Sequence, residues 1–395
     1  MRVIKHTFTF ILMQKYCKYA EMPNLIRFIL YLCIMMKYGD YAKQAIEMLQ
    51  ALIAIPSVSR DEGRAADTVA DYMVSYGLEP KRIGNNVWTV APEYDPSRPT
   101  LLLNAHIDTV KPAASWTRDP FCPTIEGDRL YGLGSNDCGG GLVCLLQVFR
   151  ILTERTPALP YNLVYLASAE EEVSGANGFS LALPQLPEIS VAIVGEPTSM
   201  QPAIAEKGLM VIDAIAHGKS GHAARNEGVN AIYEALDDLV WLRNHKFRKV
   251  SPLLGSTKMS VTVLNSGTQH NVIPDECRFT IDVRTNEFYR NEYVFEFLCQ
   301  HLKSELKARS FRLGSSSIST NHPIVVRCLE MGMKPFGSPT LSDQALMPFP
   351  SLKLGPGDSA RSHSADEYIC ISEIEDAINK YVELLSCCSL TTVNE

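Results

Sequence analysis

Two runs in the first half of the chain join an apolar stretch to side chains that hold metal ions. LLLNAHIDTV (101–110) ends its apolar run at His106 and places Asp108 two positions on, so both would share one face of a strand. NDCGGG (136–141) sets Asp137 in a turn whose glycines let backbone approach closely. A neutral imidazole is a good zinc ligand, and a carboxylate beside it fixes its tautomer. Singly these signals are weak. A His-x-Asp pair is commonly incidental, and Asp137 alone reads better as the cap of the helix that follows.

Three further clusters follow apolar runs in the same way. In SAEEEVSGANG, Glu170, Glu171 and Glu172 come directly after NLVYLA. Adjacent carboxylates can divide the work, one held by metal and one free to move protons. VAIVGEPTS presents Glu196, and LKLGPGDSARSH presents His363, which alone is as readily a surface histidine. Together these are two histidines and three carboxylates with a spare glutamate. That is the donor count for two zinc ions about 3.5–4 Å apart sharing one carboxylate. Thiolates are absent from this set, which disfavours a structural four-cysteine zinc site.

The elements that must position these residues follow from periodicity. Helical spacing covers 41–55 and 63–76, strands are expected at 86–90, 100–107, 162–167 and 191–194, and a helix at 139–152. Strands alternating with helices indicate an α/β layer with a largely parallel sheet, whose functional loops leave the strand C-termini. From about Lys207 the order becomes strand (209–216), helix (230–243), strands (259–264 and 277–283), helix (293–306) and strand (310–313). This is the split βαβ arrangement of an inserted domain. The first pattern then resumes with a helix at 324–331, a strand at 351–354 and a helix at 372–386, after a serine-rich return linker at 315–319. The expected division is 36–206 with 320–395 as one domain and 207–319 as the inserted one. Residues 1–35 are expected to be a non-native or disordered extension, with the true start at Met35 or Met36.

Composition narrows the function. A formal charge of −7 leaves no basic surface for phosphates, so nucleic acid is not an expected partner. Eleven cysteines without a C-x-x-C pair form no disulfide framework and suit a reducing, cytoplasmic setting. The apolar run at 25–36 is interrupted by Arg27 and is too short to span a bilayer, so no membrane is expected.

In content and order these motifs resemble the zinc aminoacylase and exopeptidase family that includes acetylornithine deacetylase and succinyl-diaminopimelate desuccinylase. The resemblance runs from about Met36 to the end. It implies a zinc-exopeptidase-like, three-layer α/β catalytic domain with an inserted ferredoxin-like (βαββαβ) lid and dimerisation domain. It also implies two zinc ions, replaceable by cobalt or manganese. His106, Asp137 and Glu196 would hold one and Glu172, Asp137 and His363 the other, with Asp137 bridging and a cis peptide at Asp137–Cys138. Asp108 would orient His106. Glu171 would be the general base, although Glu170 stands where the family more often has Asp and so competes for that role. His222, in GKSGHAARNEG, would reach a partner subunit's site in a homodimer and stabilise the oxyanion; read alone, it is a histidine with local hydrogen bonds. Asn271 and Arg284 would bind substrate polar groups, Arg284 being equally a structural ion pair. The implied activity is removal of an acetyl group from a small N-acyl amino acid, N-acetylornithine foremost, in arginine biosynthesis. N-acetylcitrulline, succinylated substrates and dipeptides are alternatives. A non-catalytic zinc-binding protein of this fold is disfavoured, because it would need neither Glu171 nor His222.

Overall fold

The computed structural model describes residues 24–155, 159–225, 227–386, 388 and 390, with side chains from Tyr38 onward. Residues 1–23, and with them most of the expected extension, lie outside the described residues. The first helix, α1 (Asn24–Ile53), begins well before the periodicity at 41–55 suggests. Its Tyr41, Ala45, Met48, Leu49 and Ile53 are buried along one stripe, the spacing that turns a helix face inward.

The elements that carry the rest are, in chain order, α2 (Gly63–Ser75), β1 (Asn86–Val90), β2 (Thr100–His106), α3 (Gly140–Arg155), β3 (Asn162–Ser168), β4 (Val191–Val194) and β5 (Ala203–Glu206). Then come β6 (Met210–His217), α4 (Ala231–Asn244), β7 (Lys258–Ser266), β8 (Glu276–Arg284), α5 (Asn291–His301) and β9 (Glu305–Ala308). The chain continues through α6 (Pro323–Glu330), β10 (Ser351–Lys353) and α7 (Ile371–Ser386).

The larger sheet runs β1-β3-β2-β4-β10-β5, and its four inner strands β3, β2, β4 and β10 are parallel. Every residue of β2, β3 and β4 is buried, as near-continuous apolar runs require when both sheet faces are covered. Leu101, Leu103 and Ala105 join the core under α1, α3 and α7, while Leu102 packs with Phe179, Ile189 and Ala192 on the other face. Three layers result. In register, His106 pairs with Ser168 and Asn104 with Val194. The loops after β2, β3, β4 and β10 therefore open along one edge of the sheet.

Residues from β6 to β9 build a second sheet of order β7-β8-β6-β9, antiparallel throughout, with α4 and α5 over its apolar face. Met210, Ile212, Ala214 and Ala216 alternate into this separate core, the period-two pattern of a sheet buried on one side. This is the expected ferredoxin-like order, with one boundary corrected. The helix expected to reach 306 stops at His301, and the last strand is Glu305–Ala308 rather than 310–313. Asp238 of α4 causes the break: it accepts Lys303 N at 3.0 Å, Ser304 N at 2.8 Å and Ser304 Oγ at 2.6 Å, holding those residues out of helical conformation. The supposed linker also forms structure, since Ser316 and Ser317 pair with β5. Among the described residues no helix is long and apolar enough to cross a membrane.

The glycines that open α3 are there for close packing. A Cβ on Gly141 would lie 1.8 Å from the carbonyl oxygen of Gly195, and one on Gly139 2.4 Å from that of Gly134. Backbone thus meets backbone where α3 passes the end of β4, one residue before Glu196. Gly141→Ala is expected to cost about 3 kcal/mol through overpacking, read as a lower thermal midpoint, and to weaken metal binding by displacing Glu196.

Candidate metal centre

His106 closes β2 and is 2 % exposed. Its Nδ1 lies 2.8 Å from the carbonyl oxygen of Asp108, an atom that can only accept, so the ring proton sits on Nδ1. Nε2 then turns its lone pair toward oxygens of Asp137 at 3.1 Å, Glu196 at 3.5 Å and Glu171 at 3.9 Å. A lone pair facing carboxylates is repulsive unless a metal ion or a second proton lies between them. Burial works against the doubly protonated ring, yet in that form its hydrogen bonds with Asp108 and Asp137 hold the pKa of His106 well above its ordinary value.

Asp108 does more than orient the imidazole. Its carboxylate, 3.5 Å from Nδ1, accepts Ser59 Oγ at 2.7 Å and the backbone N–H groups of Glu171 at 3.0 Å and Glu172 at 3.1 Å. One side chain therefore links the strand-end histidine to the glutamate loop after β3. Burial opposes ionisation of Asp108, but His106, Ser59 and Glu171 together keep its pKa below the usual carboxylate value.

The three glutamates point in different directions. Glu170, in the left-handed region at φ 53°, turns into its own loop, where its carboxylate accepts Asn177 N at 3.2 Å and Asn177 Nδ2 at 2.9 Å. Glu172 meets His363 Nε2 at 2.9 Å, and His363 lies 3.6 Å from the second oxygen of Asp137. Glu171 lies between the two groups. Burial, then the neighbouring Glu196, raises its pKa well above the carboxylate range. Burial and Asp137 push Glu196 up to about 8, and the hydrogen bond with Glu172 raises His363 to about 9.

Asp137 is not a helix cap. It sits in the tight turn Ser135–Gly139 beside a cis peptide to Cys138, and each of its oxygens faces a different histidine. Two residues near it carry no clear sequence signal. Cys138 places a sulfur within 4.8 Å of donor atoms of His106 and Glu196, so the motifs are not free of thiol. Glu367, 1 % exposed, accepts three backbone N–H groups from the turn that carries Asp137. Only its position four residues after His363 hints at this.

The three residues expected from the second sheet stand elsewhere. His222 pairs in register with Val272, next to Asn271, so these two lie together. The Nδ1 of His222 accepts Ala224 N at 3.1 Å, and neither residue takes part in the ion pairs around His106. Arg284 is engaged by Asp282 through two contacts of 2.9 and 3.1 Å, the structural ion pair of the two readings.

The donors fit a divalent cation. Imidazole nitrogens and carboxylate oxygens gather within 4.8 Å as His106 with Glu171 and Glu172, and as Asp137 with Glu172 and His363. Glu196 Oε1 is buried without a hydrogen-bond partner, an orphan that a cation would satisfy. Such donors at the carboxyl edge of a parallel α/β sheet make a candidate metal centre of the kind metal-dependent hydrolases use. The family model described as Peptidase family M20/M25/M40 matches residues 102–386, and the chain belongs to that family. It is a hydrolytic enzyme acting on amide bonds, and its grouped donors could hold a divalent metal cofactor. An acetylornithine deacetylase of Pectobacterium carotovorum is 29% identical over 358 residues, which cover 82% of this chain and 92% of the relative. The acetylornithine deacetylase of Proteus mirabilis is 29% identical over 84% of this chain and 93% of its own length. Among solved structures, a Staphylococcus aureus tripeptidase superposes with a TM-score of 0.69 at 19% identity, over 87% of this chain and 98% of its own. The YXEP protein of Bacillus subtilis, a dinuclear metal-binding peptidase, gives 0.67 at 17% identity, over 88% and 98%.

Proposed function

We propose that the enzyme removes the acyl group from a small N-acyl amino acid, with N-acetylornithine the preferred substrate, using two zinc ions in the cytoplasm. The single observation that carries this reading is the placement of Glu171. It stands beside donors of both groups, its side chain is only 10% exposed, and it has no hydrogen bond to its carboxylate among the described residues. His106, Asp137 and Glu196 would hold one ion and Glu172, Asp137 and His363 the other. When bound, the ions polarise an amide carbonyl and bring the pKa of water toward about 7. Glu171 takes the proton of the attacking water and returns it to the amine nitrogen as the C–N bond breaks, releasing acetate and free amino acid. Asp108 keeps the proton of His106 on Nδ1 and fixes the peptide that carries Glu171.

The division into a catalytic body (36–206 and 320–395) and a lid (207–319) belongs to the same proposal, as does a homodimer. An apolar stripe on α4 supports the dimer: Ile232, Tyr233, Leu236 and Val240 are exposed, as are Val263 and Leu264 of edge strand β7. In the dimer, His222 from a second copy, with Asn271 beside it, would supply an oxyanion donor. Arg284 serves substrate carboxylates only if it leaves Asp282.

The test is release of acetate from N-acetylornithine by the purified enzyme, beside N-acetylcitrulline, their succinyl analogues and succinyl-diaminopimelate. Activity should fall to background with a chelator and return with added Zn²⁺ or Co²⁺. Chelator-resistant turnover would overturn the mechanism, and a faster rate on another member of the panel would replace the substrate.

A further inference from the structure

The two metal positions are built in different ways. His106 and Glu196 stand at or just beyond the ends of β2 and β4, adjacent parallel strands with Asn104 opposite Val194, so the sheet sets their separation. Asp137 and His363 have no such support. Both sit on irregular loops, and the side chain of His363 is 54% exposed.

What joins those loops is a set of contacts from residues that touch no ligand atom. Glu367, at the end of the His363 loop, accepts Gly134 N at 3.2 Å, Asn136 N at 2.8 Å and Asp137 N at 2.9 Å. Asn136 reaches back from the other side: its Nδ2 donates to Asp358 O at 3.0 Å and its Oδ1 accepts Asp358 N at 3.1 Å. The fit is close, for a Cβ on Gly357 would lie 2.2 Å from Asn136 Oδ1, and Gly357 has φ of 81°.

We propose that Glu367 and Asn136 are positioning residues that set the affinity of the second metal position, Glu172–Asp137–His363, by holding its two loops at a fixed separation. The inference rests on the two-ion reading above. Hydrogen-bonded partners outside a ligand set commonly change metal affinity by about 10–100-fold, and here the effect should be larger at the second position, because the first keeps His106 and Glu196 on the sheet and shares only Asp137 with the loosened turn.

The test is stepwise binding of Co²⁺ to the metal-stripped full-length chain, followed by visible absorption and by competition with a chelator. Two variants break the tether from opposite loops: Glu367→Ala, which removes the acceptor of all three N–H groups, and Asn136→Ala. Circular dichroism of the metal-free proteins checks that each folds, and the folded variant decides if only one does. Both are expected to bind the second ion about 10–100-fold more weakly and to weaken the first, which shares only Asp137 with the turn, by clearly less. Equal weakening of both ions would mean general loosening and overturn the inference, as would two ions held with unchanged affinity. Failure of the two-ion reading is separately visible, because the wild-type chain would itself bind fewer than two equivalents, and the inference would fall with it.

Discussion

Glu171→Gln is expected to lower kcat by about 10²–10⁴-fold while the enzyme still binds two equivalents of metal. The expectation comes from how the glutamate is mounted. Its peptide N–H and that of Glu172 are both fixed on the carboxylate of Asp108, so the loop cannot drift when the side chain changes. The carboxylate itself faces the donor cluster, 3.9 Å from Nε2 of His106. Burial and Glu196 raise its pKa well above the carboxylate range. An amide of the same shape fills the space and cannot take a proton. Glu170→Gln is the control. That carboxylate serves Asn177, so its loss should disturb the loop and leave the chemical step in place. Turnover of Glu171→Gln within tenfold of wild type would remove Glu171 from the base role.

The residues legible from sequence were those whose constraint is local. Thr100–His106 could be read as a central strand because burial on both faces demands an unbroken apolar run, and His106 marks its end. His106, Glu172 and Glu196 could be read because each closely follows such a run and strand ends converge in a parallel sheet, whereas Asp137 and His363 were marked only by the polar, glycine-containing loops that carry them. Other features depend on partners far along the chain. Nothing in three consecutive glutamates says that Glu170 adopts a positive φ and turns away, leaving Glu171 facing the cluster. The end of α5 is set by Asp238, 65 residues from Lys303, so periodicity alone carried the helix too far. Glu367 acts 230 residues away on Asp137. Arg284 showed the opposite difficulty: an arginine at a strand end suits a substrate clamp, but Asp282 two residues back already occupies it.

Asp137→Ala is expected to weaken both metal positions, whereas His363→Ala should weaken one. The difference follows from the two oxygens of Asp137, one 3.1 Å from Nε2 of His106 and the other 3.6 Å from Nε2 of His363. No other side chain faces both histidines at such distances among the described residues. Removing a partner outside the ligand set costs about 10–100-fold in affinity, so losing the shared ligand should exceed that at each position. His106 would keep Glu196 at 3.5 Å, and His363 would keep Glu172 at 2.9 Å, but nothing would join the halves. Turnover should fall to background, because Glu171 sits between two positions that no longer share a ligand. Metal content after dialysis against a weak chelator separates the cases. Wild type should retain two ions, His363→Ala one and Asp137→Ala none. If Asp137→Ala retains one ion tightly, the carboxylate serves a single position and the bridge must be assigned elsewhere.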